Sequence, residues 1–135
     1  MKNKERFILR RLNWFFLSDV LKESKYEYNR YDAENDSYIV EIKHRDKFYK
    51  DTIIEFDKFS YNLLYAKMAN KFFIYVVRMN NYVYVFNITK LVELSYNFNW
   101  EWKELKKQTE FSDKKEIKKL VGYININKSV KEFRV

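Results

Sequence analysis

Gly122 is the only glycine among 135 residues, and the chain has no proline. Glycine supplies the positive φ and the close backbone approach on which phosphate-cradling loops depend. A glycine-rich phosphate loop, a dinucleotide-binding fingerprint and a G-x-S-x-G nucleophile elbow are therefore excluded. The absence of cysteine removes disulfides, thiolate nucleophiles and Cys-ligated zinc as well. Any chemistry this chain performs must come from carboxylates, amines, hydroxyls and rings.

A chain of this length buries roughly two thirds of the surface its unfolded form exposes, enough for a self-standing core. Apolar residues make up 47% and charged residues 34%, which excludes a disordered tail, and one domain spanning residues 1–135 is expected. The longest apolar run, Phe72 to Val77, is far short of the roughly 18 residues a membrane span needs. The first six residues lead into no long apolar stretch, so a secretory signal is not expected, and the expected location is cytoplasmic with no membrane partner. Lys plus Arg number 27 against 19 Asp plus Glu, a net charge of +8 that suits an anionic partner.

Ile8, Leu12, Phe15, Phe16 and Val20 recur near helical spacing and predict an opening helix over Asn3 to about Leu21. Tyr26, Tyr28 and Tyr31 alternate with polar residues over 25–32. The polar cluster 33–37 then gives a turn and Tyr38 to Lys43 a second strand, an antiparallel hairpin around Asn35-Asp36. Residues 44–52 read as a loop and about 57–70 as a helix, capped by Asp57 or Thr52. Phe72 to Met79 and Tyr82 to Ile88, separated by Asn80-Asn81, form the clearest hairpin, after which Thr89 can cap a short helix through Leu94. Beyond Ser95 we expect irregular structure, a short helix near Asp113 to Leu120 closed by Gly122, and a last strand over 123–126. The expected class is α/β (α+β): a central mixed sheet flanked by helices, with a core over about 3–88 and a basic, aromatic extension over about 95–135.

Asp/Glu-x-Lys recurs by accident in a chain so rich in charge, but Glu41-Ile-Lys43 is the copy set on a strongly apolar strand, beside Ile39, Val40 and Ile42. Period-two geometry points Glu41 and Lys43 to one face and Val40 and Ile42 to the other. Burying a carboxylate and an ammonium on a strand is costly and asks for a reason. One reason is a solvated salt bridge on an open face. The other brings in Asp32, nine residues upstream: if the hairpin pairs Asp32 opposite or diagonal to Glu41, two carboxylates and a lysine converge. Such a set binds a hard divalent cation through oxygen, with Lys43 near a developing phosphorane charge or an attacking water.

With Asp32 and Glu41-x-Lys43 the sequence resembles the PD-(D/E)XK nuclease superfamily, whose signature is an acid at a strand end followed by Asp/Glu-x-Lys on the next strand. Tyr31 stands where the usual proline would be. The order of elements is similar to the family's αβββαβ restriction-endonuclease-like core, and the run Lys25-Tyr-Glu-Tyr28 looks most like compact phage-type junction-resolving endonucleases. The resemblance implies a metal-dependent nuclease that hydrolyses nucleic acid, DNA ahead of RNA. It further implies Asp32 and Glu41 as ligands of Mg²⁺ or Mn²⁺, Lys43 assisting the nucleophile or transition state, and Glu5 as an extra ligand, against its ordinary role as a helix-start acid. Junction resolution would call for a homodimer.

Around this constellation, Arg45, Lys47 and Lys50 in the loop and Lys58 on the second helix are candidates for phosphate contact, set against a solvated loop with no partner. Glu55 and Lys58, at the start of that helix, could reach the same site, although for Glu55 the favourable helix-start position is the leading explanation. The aromatics read mostly as core, with Trp100 and Trp102, beside Lys103, Lys106 and Lys107, the better candidates for a contact surface. Residues 101–135 hold ten basic and six acidic residues, half the excess charge. Two other readings stand beside the nuclease: a non-catalytic nucleic-acid-binding module of the same fold, and a protein-interaction or inhibitor protein using the aromatic carboxyl-terminal region.

Overall fold

The computed structural model describes residues 1–13, 20–24, 30–106 and 116–135. The architecture is mixed α and β, with a central mixed sheet, a smaller antiparallel sheet and helices packed on both.

The chain opens with α1 (Asn3–Asn13) and continues through β1 (Lys22–Glu23), β2 (Ala33–Glu34) and β3 (Tyr38–Arg45). β4 (Asp51–Glu55) runs straight into α2 (Phe56–Met68), followed by β5 (Phe72–Met79), β6 (Tyr82–Asn87) and α3 (Ile88–Glu93). β7 (Glu101–Lys106), β8 (Glu116–Asn125), a short 3-10 turn (Ile126–Lys128) and β9 (Lys131–Arg134) complete it. The six-stranded sheet has the order β1-β2-β3-β5-β6-β9, and β4, β8 and β7 form the three-stranded sheet in that order. Residues near the carboxyl terminus thus supply strands to both sheets.

β3 and β5 are parallel neighbours, a pairing that needs a crossover rather than a tight turn. Here β4 and α2 make that crossover. β5 is flanked on both edges and covered on both faces, which is why Phe72 to Val77 is a nearly unbroken apolar run. Alternation along β3 sorts the core into two layers. Val40 and Ile42 pack with Ile8, Leu9 and Leu12 of α1, whereas Ile39 packs on the opposite side with Ile54, Phe73, Tyr75 and the aromatics under α2. Glu41 and Lys43 belong to the Ile39 face, as the strand period requires.

Several boundaries differ from those read in the sequence. α1 is described over Asn3–Asn13 and Leu21 is not helical; the Asn13 side chain bonds both backbone groups of Leu21, at 2.8 and 3.1 Å. Phe15, Phe16 and the 25–29 stretch lie outside the described residues. The turn of the first hairpin is tighter, because Asn35 Oδ1 accepts the N–H groups of Ser37 and Tyr38 and leaves Ala33 and Glu34 to pair as strand. Residues 44–52 are not one loop: His44 and Arg45 extend β3, and Thr52 lies within β4. Glu55 takes the N-cap position of α2 without a side-chain cap bond, so neither Thr52 nor Asp57 caps it. Asn87 caps α3 by accepting the Lys90 N–H, and Thr89 instead accepts the Phe73 N–H at 2.8 Å. The second hairpin forms as expected, with Asn80 at φ 55°.

The largest departure is at the carboxyl-terminal end. Residues 116–120 are strand, not helix, and Gly122 sits in the middle of β8 rather than closing a helix. A Cβ there would lie 2.8 Å from Trp100 Cζ3 and 3.0 Å from Phe98 Cβ. The glycine is needed because two aromatic residues cross the strand at its backbone.

Candidate active site

The first-hairpin register decides whether the acids meet. Ala33 pairs with Val40 and Glu34 with Ile39, so Asp32, one residue before β2, reaches the level of Glu41. The Asp32 N–H donates to the Val40 carbonyl at 2.7 Å, and its Oδ2 accepts the Ile42 N–H at 2.7 Å. These two bonds bracket Glu41 and fix Asp32 beside it.

Glu41 is 6% exposed, an expensive position for a carboxylate. Its Oε1 accepts a hydrogen bond from Lys58 Nζ at 3.0 Å, across from the first turn of α2. Burial, and then the Asp32 charge, push Glu41 up to about 7, with Lys58 opposing. Asp32 is also raised by burial, opposed by its bond to the Ile42 N–H. Burial lowers Lys43, and the cations Arg45 and Lys58 add to that. For Lys58 burial acts downward, but the charge and hydrogen bond of Glu41, with Glu55, outweigh it and the net shift is upward. Lys43 and Lys58 are thus shifted in opposite senses around two raised carboxyls, a pattern that functional sites share with buried structural ion pairs.

A groove of about 720 Å³ meets this cluster through Lys43, whereas Asp32, Glu41 and Lys58 are not in its lining. Lys2, Lys4 and Glu5 come from the α1 end, Lys43, Arg45 and Lys47 from the end of β3 and the residues after it, Asp51 to Ile53 from β4, and Lys103, Leu105 and Tyr123 from β7 and β8 of the same smaller sheet. Lysine and arginine outnumber the acids Glu5, Asp46 and Asp51 in this lining, which leaves the groove net basic. The sequence reading missed Lys2 and Lys4. Their only signal was the Ile8, Leu9, Leu12 stripe that seats α1 on Val40 and Ile42, which does not say which end of α1 meets the site.

The remaining candidates fall into three groups. Lys43, Arg45, Lys47 and Lys103 line the groove, with Lys103 also 6.0 Å from the Tyr123 ring centroid and Arg45 donating to the Ile53 carbonyl at 3.3 Å. Lys58 is at the carboxylates themselves. Lys50 is exposed and does not line the groove. Trp102 is 70% exposed, as a contact residue would be, but Trp100 is not a surface platform: it packs among Phe56, Phe59 and Phe98. The Lys106 side chain and Lys107 lie outside what is described. Glu55 is engaged by Lys119 at 3.2 Å.

Glu5 accepts the Lys2 N–H through Oε2 at 3.0 Å and acts on Asp32 and Glu41 only through its charge. Among the described residues no three acidic, histidine or cysteine side chains are gathered closely enough to hold a metal ion. The donor set on hand is two carboxylates. That suits Mg²⁺, which keeps several waters and takes one or two protein carboxylates together with substrate phosphate oxygens. Glu41 Oε1 already coordinates a cation, the Lys58 ammonium, so the position attracts positive charge.

Compared with protein-family models and with curated proteins, the chain matches none. No helix among the described residues is long and apolar enough to cross a membrane.

Proposed function

We propose that this protein is a metal-dependent nuclease, with DNA as the substrate. The observation that carries the reading is the bracketing of Glu41 by the two backbone bonds of Asp32, with Lys43 on the same face two residues on and opening into a basic groove. A helix, an antiparallel hairpin bearing the acids, and a helical crossover to a parallel strand agree with the αβββαβ core that the resemblance implies.

Asp32 and Glu41 would hold Mg²⁺ or Mn²⁺, which supplies Lewis acidity toward a phosphodiester oxygen and makes water a better nucleophile near neutral pH. Lys43, forced toward its neutral form by burial and neighbouring cations, stands where it can orient that water or donate to a non-bridging oxygen. Arg45, Lys47 and Lys103 would grip the flanking phosphates and set register along the groove. The in-line attack needs no covalent intermediate from this chain. A four-way branched substrate would require two such sites, and so two chains.

A second reading, a nucleic-acid-binding module without catalysis, is favoured by the Lys58–Glu41 ion pair, which already neutralises one acid. End-labelled single-stranded, duplex and branched DNA incubated with Mg²⁺, Mn²⁺ or EDTA separates the two. Metal-dependent cutting lost in folded Glu41→Gln and Lys43→Ala supports the nuclease; a gel shift without cutting hands the protein to the binding module.

A further inference from the structure

The lysine that pairs with Glu41 is Lys58 of α2 and not Lys43, its own strand neighbour in the signature. The Glu41 side chain is 7% exposed, while that of Lys58 is 34% exposed, so the two partners differ in freedom. Glu41 is locked on the central sheet. Lys58 projects from the first turn of α2 and has part of its length in solvent, with room to swing away. Two acids face two ammoniums, Lys43 and Lys58, so the cluster carries no excess negative charge while Lys58 stays in place, and a cation reaching Glu41 would meet the Lys58 charge at ion-pair range.

We propose that Lys58 is a tethered substitute for the divalent cation, competing with it for the Glu41 carboxylate and leaving when the ion binds. The inference rests on the nuclease reading and assigns its two lysines different duties: Lys43 serves the phosphate, whereas Lys58 keeps the Glu41 carboxylate paired until metal arrives. Glu55, itself paired with Lys119 at 3.2 Å, also acts on the Lys58 ammonium through its charge. Removing the Lys58 charge therefore removes a repulsion and a competitor together, and divalent affinity rises.

The test is Mn²⁺ binding to the full chain at pH 8 without nucleic acid, by titration calorimetry. The variants are Lys58→Met, Lys58→Gln, Lys58→Arg and Glu41→Gln. Both neutral variants should bind Mn²⁺ about tenfold more tightly than wild type, a change of about 1.4 kcal/mol. Lys58→Arg keeps the charge and should not tighten binding; Glu41→Gln should abolish it. Lys58→Gln retains a hydrogen-bond donor toward Glu41 and serves where Lys58→Met fails to fold. If wild type binds Mn²⁺ through Glu41 and neither neutral variant binds more tightly, the competition is refuted while the nuclease reading survives. If neither wild type nor the neutral variants bind, both fall.

Discussion

Asp32 Oδ2 accepts the N–H of Ile42 at 2.7 Å, so this carboxylate is held by the backbone of the strand that carries Glu41. The spacing of the two acids is thereby set within one hairpin and does not depend on how helices pack. The arrangement costs stability, because burial raises both carboxyls and the Asp32 charge works further against ionisation of Glu41. Lys58 offsets part of that cost from the other side.

Asp32→Asn and Asp32→Ala should separate structure from chemistry. Asparagine keeps an oxygen for the Ile42 N–H, so its stability in denaturant should stay within about 1 kcal/mol of wild type. Alanine leaves that N–H without its acceptor and should cost about 1–3 kcal/mol. Both should lose metal-dependent cleavage by at least about a hundredfold, since neither offers a charged ligand. Full activity in Asp32→Asn would remove Asp32 from the site.

The metal-free protein should carry a pH signature of Glu41. Its folded-state value of about 7 lies above the ordinary 4.5, so between these limits the native state holds a proton that the unfolded chain has released. Stability from this group is present below about pH 4.5 and is lost as pH rises toward 7, where the loss levels off. The size is on the order of 3 kcal/mol. Glu41→Gln cannot release a proton, so in urea unfolding with EDTA its stability relative to wild type should climb between pH 4.5 and 8. A constant difference across that range would show that Glu41 titrates normally.

How much of this was legible in the sequence follows from the range of each interaction. The Glu41/Lys43 face, the Asn80 turn and the Asn35 hairpin depend on period and on neighbours a few residues apart, and the sequence displays both. The Asp32–Glu41 register is conditional in the sequence, since a tight turn over 33–36 would set Glu41 against Tyr28; Asn35 instead places the turn at 35–38 and pairs Ala33 with Val40. What the sequence hid is non-local. β8 pairs with β4 across more than sixty intervening residues, and the charged 116–119 stretch has no hydrophobic alternation to announce a strand. Gly122, read as a helix stop, is a strand residue because Trp100 and Phe98 lie against it. Lys58 reads both as a phosphate contact and as able to reach the site from the start of α2; that it pairs with Glu41 depends on how α2 packs on the sheet, which no local pattern displays.

Gly122→Ala tests the smaller sheet. The added methyl would meet Trp100 and Phe98 at 2.8 and 3.0 Å, inside van der Waals contact. Both rings belong to the cluster under α2, so neither can retreat without disturbing Phe56 and Phe59. Overpacking of this kind typically costs about 1–3 kcal/mol. A lowered thermal midpoint together with altered tryptophan emission is expected; an unchanged midpoint would mean that the aromatic layer yields freely.

The groove makes a different kind of prediction, one about ions rather than packing. Lys47 and Lys103 approach it from β3's end and from β7, and neither belongs to the carboxylate cluster. If each neutralises a DNA phosphate, replacing it by alanine should weaken binding about equally for all sequences and reduce the slope of log Kd against log salt by about one. Lys67, on α2 and away from the groove lining, is the matched control: its alanine variant lowers net charge by the same amount but should leave the slope nearly unchanged. Binding measured in EDTA keeps cleavage out of the comparison. Equal slope changes at Lys47, Lys103 and Lys67 would mean that DNA responds to overall charge and not to this groove, whereas a change confined to the first two would trace the phosphate path past Lys43.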